Sequence, residues 1–233
     1  MDFSMQTPST GRSTTTASRG KRIITKYIYN EQAESYLKVL FFNAARSVCP
    51  SFRVDEHNRE AVNLLFYYFT QSDKATLDLN KGILIQGSPG TGKTTLLRAF
   101  REFIMAASKL TQAEVKSSYR IVSANQICTE WQDTGRVDQF LRNSKNYMGR
   151  PEILCIDDLG MEPLATMHMG TTRNVLEYVL HERYSYFVKD GLITHTTTNV
   201  GRPAIGARYG EAIRDRFADM FNTIVLGGPS RRG

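Results

Sequence analysis

The residues of this sequence best suited to chemistry form one glycine-rich stretch, GSPGTGKT, at positions 87–94. The stretch satisfies the pattern G-x-x-x-x-G-K-[ST], in which glycines let backbone N–H groups turn toward the phosphates of a nucleotide. Lys93 would reach the β- and γ-phosphates, and the Thr94 hydroxyl would ligate Mg²⁺. The predicted nucleotide-binding residues are Gly87, Ser88, Pro89, Gly90, Thr91, Gly92, Lys93, Thr94 and Thr95.

Two adjacent carboxylates, Asp157 and Asp158, follow the apolar run ILCI at 153–156. Apolar residues that end in acids are typical of a central buried strand whose carboxyl end opens into an active site. Asp157 would hold Mg²⁺, directly or through water, and Asp158 would orient or deprotonate the water that attacks a phosphate. Burying two acids without an opposing cation is costly, and the glycine-rich stretch supplies that cation. The alternative is an ordinary strand that ends in an Asp-Asp turn.

Polar residues in the last third of the chain could complete this site. Residues 191–199, GLITHTTTN, predict a β-branched strand, and the side chain of Asn199 at its end could reach the γ-phosphate or the attacking water. A helix is predicted over 209–221, with Arg214 and Arg216 on its flanks. Its buried face would consist of Ile213, Phe217, Met220 and Phe221.

The elements that must position these residues follow from the apolar pattern. Residues 82–86, GILIQ, predict a buried parallel strand, and apolar residues at helical spacing from Leu96 to Ala107 predict a helix. The alternative interpretation of the glycine-rich stretch is a surface turn that contains a lysine by chance. The order of strand, loop and helix disfavours this alternative. Further strands are predicted over 120–124 and 223–226, and further helices over 126–133 and 172–184.

The first 75 residues divide into two parts. Residues 1–22 are rich in Ser and Thr and basic, which predicts a disordered tail or, alternatively, a basic arm that contacts nucleic acid or a partner. A transit peptide is disfavoured because the segment lacks an amphipathic pattern. Residues 23–75 predict one helix capped by Asn30 and ended at Cys49-Pro50, and a second from Glu60 to Phe69. These helices would pack on the nucleotide domain or present a face to a partner.

Composition and charge limit the classes of protein that the chain can be. With 233 residues, 41% hydrophobic and 23% charged, it has the composition of a globular α/β protein. No apolar stretch approaches the ~18 residues of a membrane span, and no secretory signal is visible, which predicts a cytoplasmic protein without membrane contact. The cysteines Cys49, Cys128 and Cys155 read as free thiols in a reducing compartment.

The net charge of +7 favours an anionic partner, and nucleic acid is the common one. A basic segment at 134–151, with Arg136, Arg142, Lys145 and Arg150, is either a solvated connection or a loop that faces DNA.

Together, these motifs resemble those of AAA+ ATPases, and more narrowly the bacterial replicative helicase loader family typified by DnaC, with its relative IstB, a transposition helper ATPase. The resemblance spans residues from about 75 to 232. The glycine-rich motif is generic, whereas the order of the later motifs is more specific. The phrases that carry the resemblance are Leu79-Asn80-Lys81-Gly82, Ile156-Asp157-Asp158-Leu159-Gly160, Tyr209-Gly210-Glu211 leading to Asp215-Arg216, and Pro229-Ser230-Arg231-Arg232.

The resemblance implies an α/β P-loop NTPase fold of the AAA+ type, with a central parallel sheet flanked by helices and no C-terminal lid domain. A disordered tail at 1–22 and a short helical region at 23–75 would precede an ATP-binding domain at 76–233. Asp157 and Thr94 would hold the metal, and Asp158, Asn199 and Arg216 would be catalytic. Asn199 matches the polar sensor-1 residue of the family.

Arg216 matches the arginine finger that completes the site of a neighbouring subunit, with Arg214 as a less suitable substitute. In the alternative interpretation, Arg216 forms a surface salt bridge with Asp215 or Glu211.

The function implied is an ATP- and Mg²⁺-dependent switch that loads or remodels a replicative helicase on DNA, single-stranded DNA in particular, as a homo-oligomer with Arg216 acting in trans. Many AAA+ proteins have Asp-Glu where this chain has Asp157-Asp158, so turnover would be slow and dependent on assembly. Two alternatives stay open: an IstB-like helper that acts with a transposase on duplex DNA, and an ATP-binding adaptor that does not hydrolyse ATP. A P-loop small-molecule kinase is disfavoured, because no arginine-rich lid segment follows the fourth strand.

Overall fold

The computed structural model describes residues 11–15, 24–111, 118–142 and 151–231. Nine strands and seven α-helices occur in these ranges. In chain order they are β1 (Gly11–Thr15), β2 (Ile24–Ile28), α1 (Glu31–Val48), α2 (Arg59–Phe69), β3 (Gly82–Gln86), α3 (Lys93–Thr111), β4 (Tyr119–Ser123), α4 (Ala124–Thr134), β5 (Ile153–Leu159), β6 (Thr166–His168), β7 (Thr171–Arg173), α5 (Val175–Asp190), β8 (Thr194–Thr198), α6 (Arg202–Tyr209), α7 (Glu211–Met220) and β9 (Phe221–Val225).

Five parallel strands form the central sheet in the order β4-β5-β8-β3-β9. Parallel neighbours need crossover connections, and helices supply them here, so the carboxyl ends of all five strands meet at one edge. The glycine-rich stretch after β3, the acids of β5 and the residue after β8 therefore come from adjacent strands. The predicted α/β P-loop fold with a central parallel sheet flanked by helices is confirmed.

Two apolar layers cover the sheet. Helices α1, α2 and α3 share one layer, in which Phe41 of α1 stacks on Phe100 of α3 with ring centroids 4.4 Å apart. The other layer joins α4, α5, α6 and α7. Helix α1 is capped as expected, because the Asn30 side chain accepts a hydrogen bond of 2.8 Å from the Ala33 N–H. Phe41 of α1 and Phe66, Tyr68 and Phe69 of α2 are buried in this layer, whereas Tyr36 of α1 is exposed.

The secondary structure of residues 161–175 differs from the predicted one. A helix was expected from 172, but residues 166–173 form the antiparallel hairpin β6–β7. Helix α5 begins only after Asn174, whose side chain caps it by accepting the Glu177 N–H. The β-branched and short polar residues of this segment favour a hairpin over the first turn of a helix.

Helix α6 also lies outside the predicted elements. It is eight residues long and contains Gly206, so the segment is too short for a helical pattern of apolar residues to be recognised. Pro203 in its first turn was the available signal.

The structure also places a strand inside the segment expected to be a disordered tail. Strand β1 pairs antiparallel with β2, from Gly11 opposite Ile28 to Thr15 opposite Ile24. Such a ladder satisfies backbone donors and acceptors without requiring large apolar side chains. The expectations for residues 1–10 and 16–23, and for Lys145 and Arg150, lie outside the described residues.

Within the described ranges, no helix has the length and apolar character needed to cross a membrane. The described chain after β9, residues 226–231, lies against the glycine-rich stretch.

Candidate functional site

A cavity of about 810 Å³ opens at the carboxyl edge of the sheet. The predicted nucleotide-binding residues from Pro89 to Thr95 line it, together with Asp158 and Asn199. Residues 51–58 form another wall, and residues 229–231 close the cavity from the C-terminal side. The cavity thus brings together the carboxyl ends of the central strands, the segment between α1 and α2, and the C-terminal end of the described chain.

The glycine-rich stretch forms a cradle immediately before helix α3. Gly90 and Gly92 have left-handed φ values of 85° and 97°, which side chains other than glycine rarely adopt. A Cβ atom on Gly90 would lie 2.2 Å from the Ser230 hydroxyl oxygen, so this turn leaves no room for a side chain. Helix α3 begins at Lys93, and its N-terminal N–H groups favour an anion at that point. The cradle fits the phosphates of a nucleotide.

Lys93 joins the cradle to strand β8. Its side chain is 5% exposed, and its ammonium donates hydrogen bonds to the carbonyl oxygens of Gly87 (2.9 Å) and Ser88 (3.0 Å). The same ammonium donates to the side-chain oxygen of Asn199. The charge of Lys93 and the amide of Asn199 are therefore held together beside the cradle.

Thr94 and Asp157, the two predicted metal ligands, are in direct contact. The Thr94 hydroxyl donates to Asp157 Oδ1 at 2.8 Å, and Asp157 is 7% exposed. A hydroxyl and a carboxylate are hard oxygen donors of the kind that Mg²⁺ takes, and this ion is usually held by one or two protein groups plus substrate phosphates. The donor set therefore fits Mg²⁺. No described group of three or more His, Cys, Asp or Glu forms a separate metal site.

Asp158 differs from its neighbour in backbone conformation and in direction. Its φ of 55° is left-handed, and the residue lines the cavity, whereas Asp157 is outside the cavity lining and contacts Thr94. The Asp158 N–H donates to the hydroxyl of Thr197 at 2.8 Å, and that hydroxyl donates to Asp157 Oδ1 at 2.6 Å. Sequence reasoning missed Thr197, although three consecutive threonines in a buried strand were a signal that their hydroxyls have partners.

Arg216, which is predicted to be catalytic, does not line this cavity. It lies on α7 and packs on α5, with its guanidinium carbon 4.6 Å from the centroid of the Tyr184 ring and Nη1 hydrogen-bonded to His181 Nδ1. In the described part of the chain Arg216 pairs with neither Asp215 nor Glu211. Arg214 makes both ion pairs instead, so the alternative interpretation of Arg216 is wrong.

The C-terminal segment contacts the cradle through Arg231. Its backbone N–H donates to Gly90 O at 2.8 Å, and its guanidinium binds both carboxylate oxygens of Asp55 at 2.8 Å. The hydrogen bond from Arg231 lowers the pKa of Asp55 to about 2. No local sequence pattern links these two residues, which lie 176 positions apart. Arg232, the other arginine of the predicted ending, lies outside the described residues.

A buried carboxylate ties the loop after β5 to α6. Glu162 is 4% exposed, and it accepts hydrogen bonds from the Gly160 N–H at 2.8 Å and from the Tyr209 hydroxyl. Arg208 donates to the same carboxylate at 3.2 Å. The Tyr209-Gly210-Glu211 phrase therefore begins with a residue that anchors the loop following Asp158.

Comparisons with known proteins agree with this geometry. A family model described as AAA domain (dynein-related subfamily) matches residues 82–217, more than half of the chain. The structure is similar to that of DnaI, with a TM-score of 0.56 and 21% identity over 82% of this chain and 93% of that one. It is also similar to the DnaC helicase loader, with a TM-score of 0.52 and 19% identity over 80% and 98% of the two chains.

A third similar structure is the replication initiator DnaA bound to AMPPCP and single-stranded DNA. Its TM-score is 0.50 and its identity 20%, over 77% of this chain and 49% of that chain. At identities this low the likeness is one of fold. No curated protein sequence matches the chain.

Proposed function

Because this chain belongs to the AAA domain family, we propose that it is an ATPase that acts as a nucleotide-dependent switch in the initiation of DNA replication. The observation that carries the proposal is the meeting of five polar groups at one edge of the sheet. These groups are Lys93, Thr94, Asp157, Asp158 and Asn199.

Each of these groups has a role that its contacts support. The Lys93 ammonium would hold the β- and γ-phosphates, and Asn199, which is already bonded to Lys93, would face the γ-phosphate or the attacking water. Thr94 and Asp157 would hold Mg²⁺, which neutralises charge on the phosphate oxygens when bound. The Asp158 carboxylate, which lines the cavity, would orient the water or accept its proton.

One part of this arrangement is proposed to come from a second copy of the chain. Phosphoryl transfer in AAA-type sites gains from an arginine that stabilises charge on the transferred group, worth about 10³–10⁵ in rate where it has been measured in P-loop enzymes. Arg216 lies outside its own chain's cavity and is held partly exposed by Tyr184 and His181. We therefore propose that Arg216 enters the site of a neighbouring copy, which makes turnover depend on assembly.

The partner proposed is a replicative helicase, with single-stranded DNA as the nucleic acid. The fold shared with DnaI and the DnaC helicase loader supports the helicase, and the DnaA structure bound to single-stranded DNA supports the DNA. The net charge of +7 favours the same class of ligand. A transposition helper would share the site but would bind duplex DNA and a transposase.

The experiment that tests this function measures DNA binding with and without AMPPCP at fixed salt concentration, since phosphate contacts make the affinity salt-dependent. Single-stranded and duplex oligonucleotides of equal length are compared for the wild type and for Lys93→Ala. We expect nucleotide to strengthen binding to the single strand, and Lys93→Ala to lose that effect. A preference for duplex DNA would favour the transposition helper. If AMPPCP does not change the DNA affinity of the wild type, the proposed switch is contradicted.

A further inference from the structure

One hydroxyl group contacts both acidic residues of the candidate site. Thr197 Oγ1 donates a hydrogen bond to Asp157 Oδ1 at 2.6 Å and accepts one from the Asp158 N–H at 2.8 Å. A hydroxyl has one hydrogen and two lone pairs, so both bonds form at the same time. Thr197 is completely buried, so water is not available to replace either bond if the hydroxyl is removed.

The register of β5 against β8 explains why this hydroxyl lies between the two acids. Ile156 pairs with Thr196 and Leu159 pairs with Thr198, which leaves Asp157 and Asp158 opposite the single residue Thr197. Two residues opposite one constitute a β-bulge, a feature that often re-aims a side chain next to an active site. The left-handed φ of Asp158 lies within this bulge.

The bulge changes the direction of the second acid. In a regular strand adjacent side chains point to opposite faces of the sheet, so an Asp157 that faces Thr94 would send Asp158 to the other face. In the bulge, Asp158 lines the cavity that also contains Lys93 and Asn199. The bulge thus keeps Asp158 at the wall of the cavity.

The neighbouring threonines have a different role. The Thr196 hydroxyl donates to Ile156 O at 2.8 Å, and the Thr198 hydroxyl donates to Leu159 O at 2.7 Å. Both bonds end on backbone carbonyls at the two ends of the bulge. The Thr197 hydroxyl contacts Asp157 and Asp158, whereas the hydroxyls of Thr196 and Thr198 contact backbone groups.

We propose that Thr197 is a positioning residue that holds Asp157 toward Thr94 for Mg²⁺ and, through the same hydroxyl, fixes Asp158 in the bulge that turns it into the cavity. The proposal rests on the proposed function, because it assigns the two acids to metal binding and to water. It assigns a role to Thr197, which no motif in the sequence identifies.

The test compares three single substitutions in β8. Thr197→Val removes the hydroxyl and keeps the shape, Thr197→Ser keeps the hydroxyl, and Thr196→Val removes a hydroxyl that is equally buried but bonded only to backbone. Binding of Mn²⁺ in the presence of AMPPCP is measured by electron paramagnetic resonance, and the metal concentration that gives half-maximal ATP turnover is measured in parallel. Thermal unfolding of each variant is recorded as well.

We expect Thr197→Val to weaken Mn²⁺ binding by about 10- to 100-fold, the usual effect of losing a group that orients a metal ligand. Thr197→Ser should bind Mn²⁺ as the wild type does. Thr196→Val should lose thermal stability without a change in Mn²⁺ affinity, because its hydroxyl contacts no acid.

Two results would overturn the inference. In the first, Thr197→Val has the same Mn²⁺ affinity as Thr196→Val and needs the same metal concentration for half-maximal ATP turnover. The other, which applies even if Thr197→Val fails to fold, is a folded Thr197→Ser that loses Mn²⁺ affinity although its hydroxyl remains. If the variants differ in Mn²⁺ affinity as expected but the wild type does not turn over ATP, the proposed ATPase activity is contradicted. The positioning role of Thr197 is then still supported.

Discussion

Single residues at the carboxyl edge of the sheet carry the proposed chemistry. The convergence of the glycine-rich stretch, Asp157, Asp158 and Asn199 could be predicted, because each follows an apolar run that reads as a buried strand, and parallel strands end at one edge. The contact between Thr197 and the two acids could not be predicted, because it depends on a bulge that changes the register by one residue. Strand patterns in a sequence do not show bulges.

Removing the Lys93 ammonium should weaken nucleotide binding directly. Lys93→Ala deletes a buried cation, and charge-assisted hydrogen bonds of the kind it would make to phosphate are each worth about 1.5–3 kcal/mol, so we expect the Kd for ATP to rise by at least about 10- to 100-fold. Isothermal titration calorimetry with ATP measures this change. The matched control is Lys189→Ala, which removes an exposed lysine at the end of α5. ATP affinity at the wild-type level in Lys93→Ala would contradict the assignment of the cradle.

At the scale of elements, buried polar contacts fix segments whose positions the apolar pattern leaves open. The pattern located the central strands and the long helices within a few residues, but it missed α6 and the hairpin β6–β7, which are short. The burial of Arg183 could not be predicted from the apolar pattern either. Its side chain is 1% exposed, although nothing in its position along α5 indicates that it is buried. Its guanidinium donates to the Thr194 hydroxyl and to the carbonyls of Phe140, Leu141 and Ile193.

Arg183 is expected to stabilise the junction of α5, β8 and residues 138–141. Arg183→Met would leave three buried carbonyls without donors, each costing about 1–3 kcal/mol, and this loss exceeds what is gained by no longer burying a charge. We expect the free energy of unfolding to fall by about 3 kcal/mol or more, measured by urea denaturation. The control is Arg142→Met, which removes a half-exposed ion pair with Asp190 and should cost less than about 1 kcal/mol. Equal effects of the two substitutions would contradict this role.

The contact between Asp55 and Arg231 joins the segment before α2 to the C-terminal segment, and it should make stability depend on pH. The folded state holds the pKa of Asp55 at about 2, below its ordinary value of 3.8, so its contribution is fully present above about pH 4 and is lost as the pH falls toward 2. The difference in free energy of unfolding between the wild type and Asp55→Asn should therefore shrink across this window.

Urea denaturation at several pH values from 2 to 7 measures that difference. Asp133→Asn, at an exposed position on α4, is the control and should show no comparable change. If this difference in free energy of unfolding stays constant from pH 7 to pH 2, the ion pair of Asp55 with Arg231 does not contribute to stability as expected.

For the whole molecule, the AAA fold places the nucleotide site and Arg216 in different parts of the same chain. The cavity lies at the carboxyl edge of the sheet, and Arg216 lies on α7 against α5. The fold class was predictable from the order of strands, helices and motifs along the chain. The surfaces through which copies of the chain are proposed to meet could not be predicted, because a single sequence does not show which surfaces are in contact.

The most direct test of this composite site is ATP turnover in an equimolar mixture of two variants. Asp158→Asn lacks the carboxylate that is proposed to act on water but retains Arg216, and Arg216→Ala retains Asp158 but lacks the arginine. Alone, each should turn over ATP far more slowly than the wild type, because each lacks a group that acts in the transition state. Random mixing in an oligomer pairs about a quarter of the sites with both intact groups, so the mixture should recover turnover that neither variant has alone. A mixture as inactive as its components, or Arg216→Ala alone with wild-type turnover, would contradict the account.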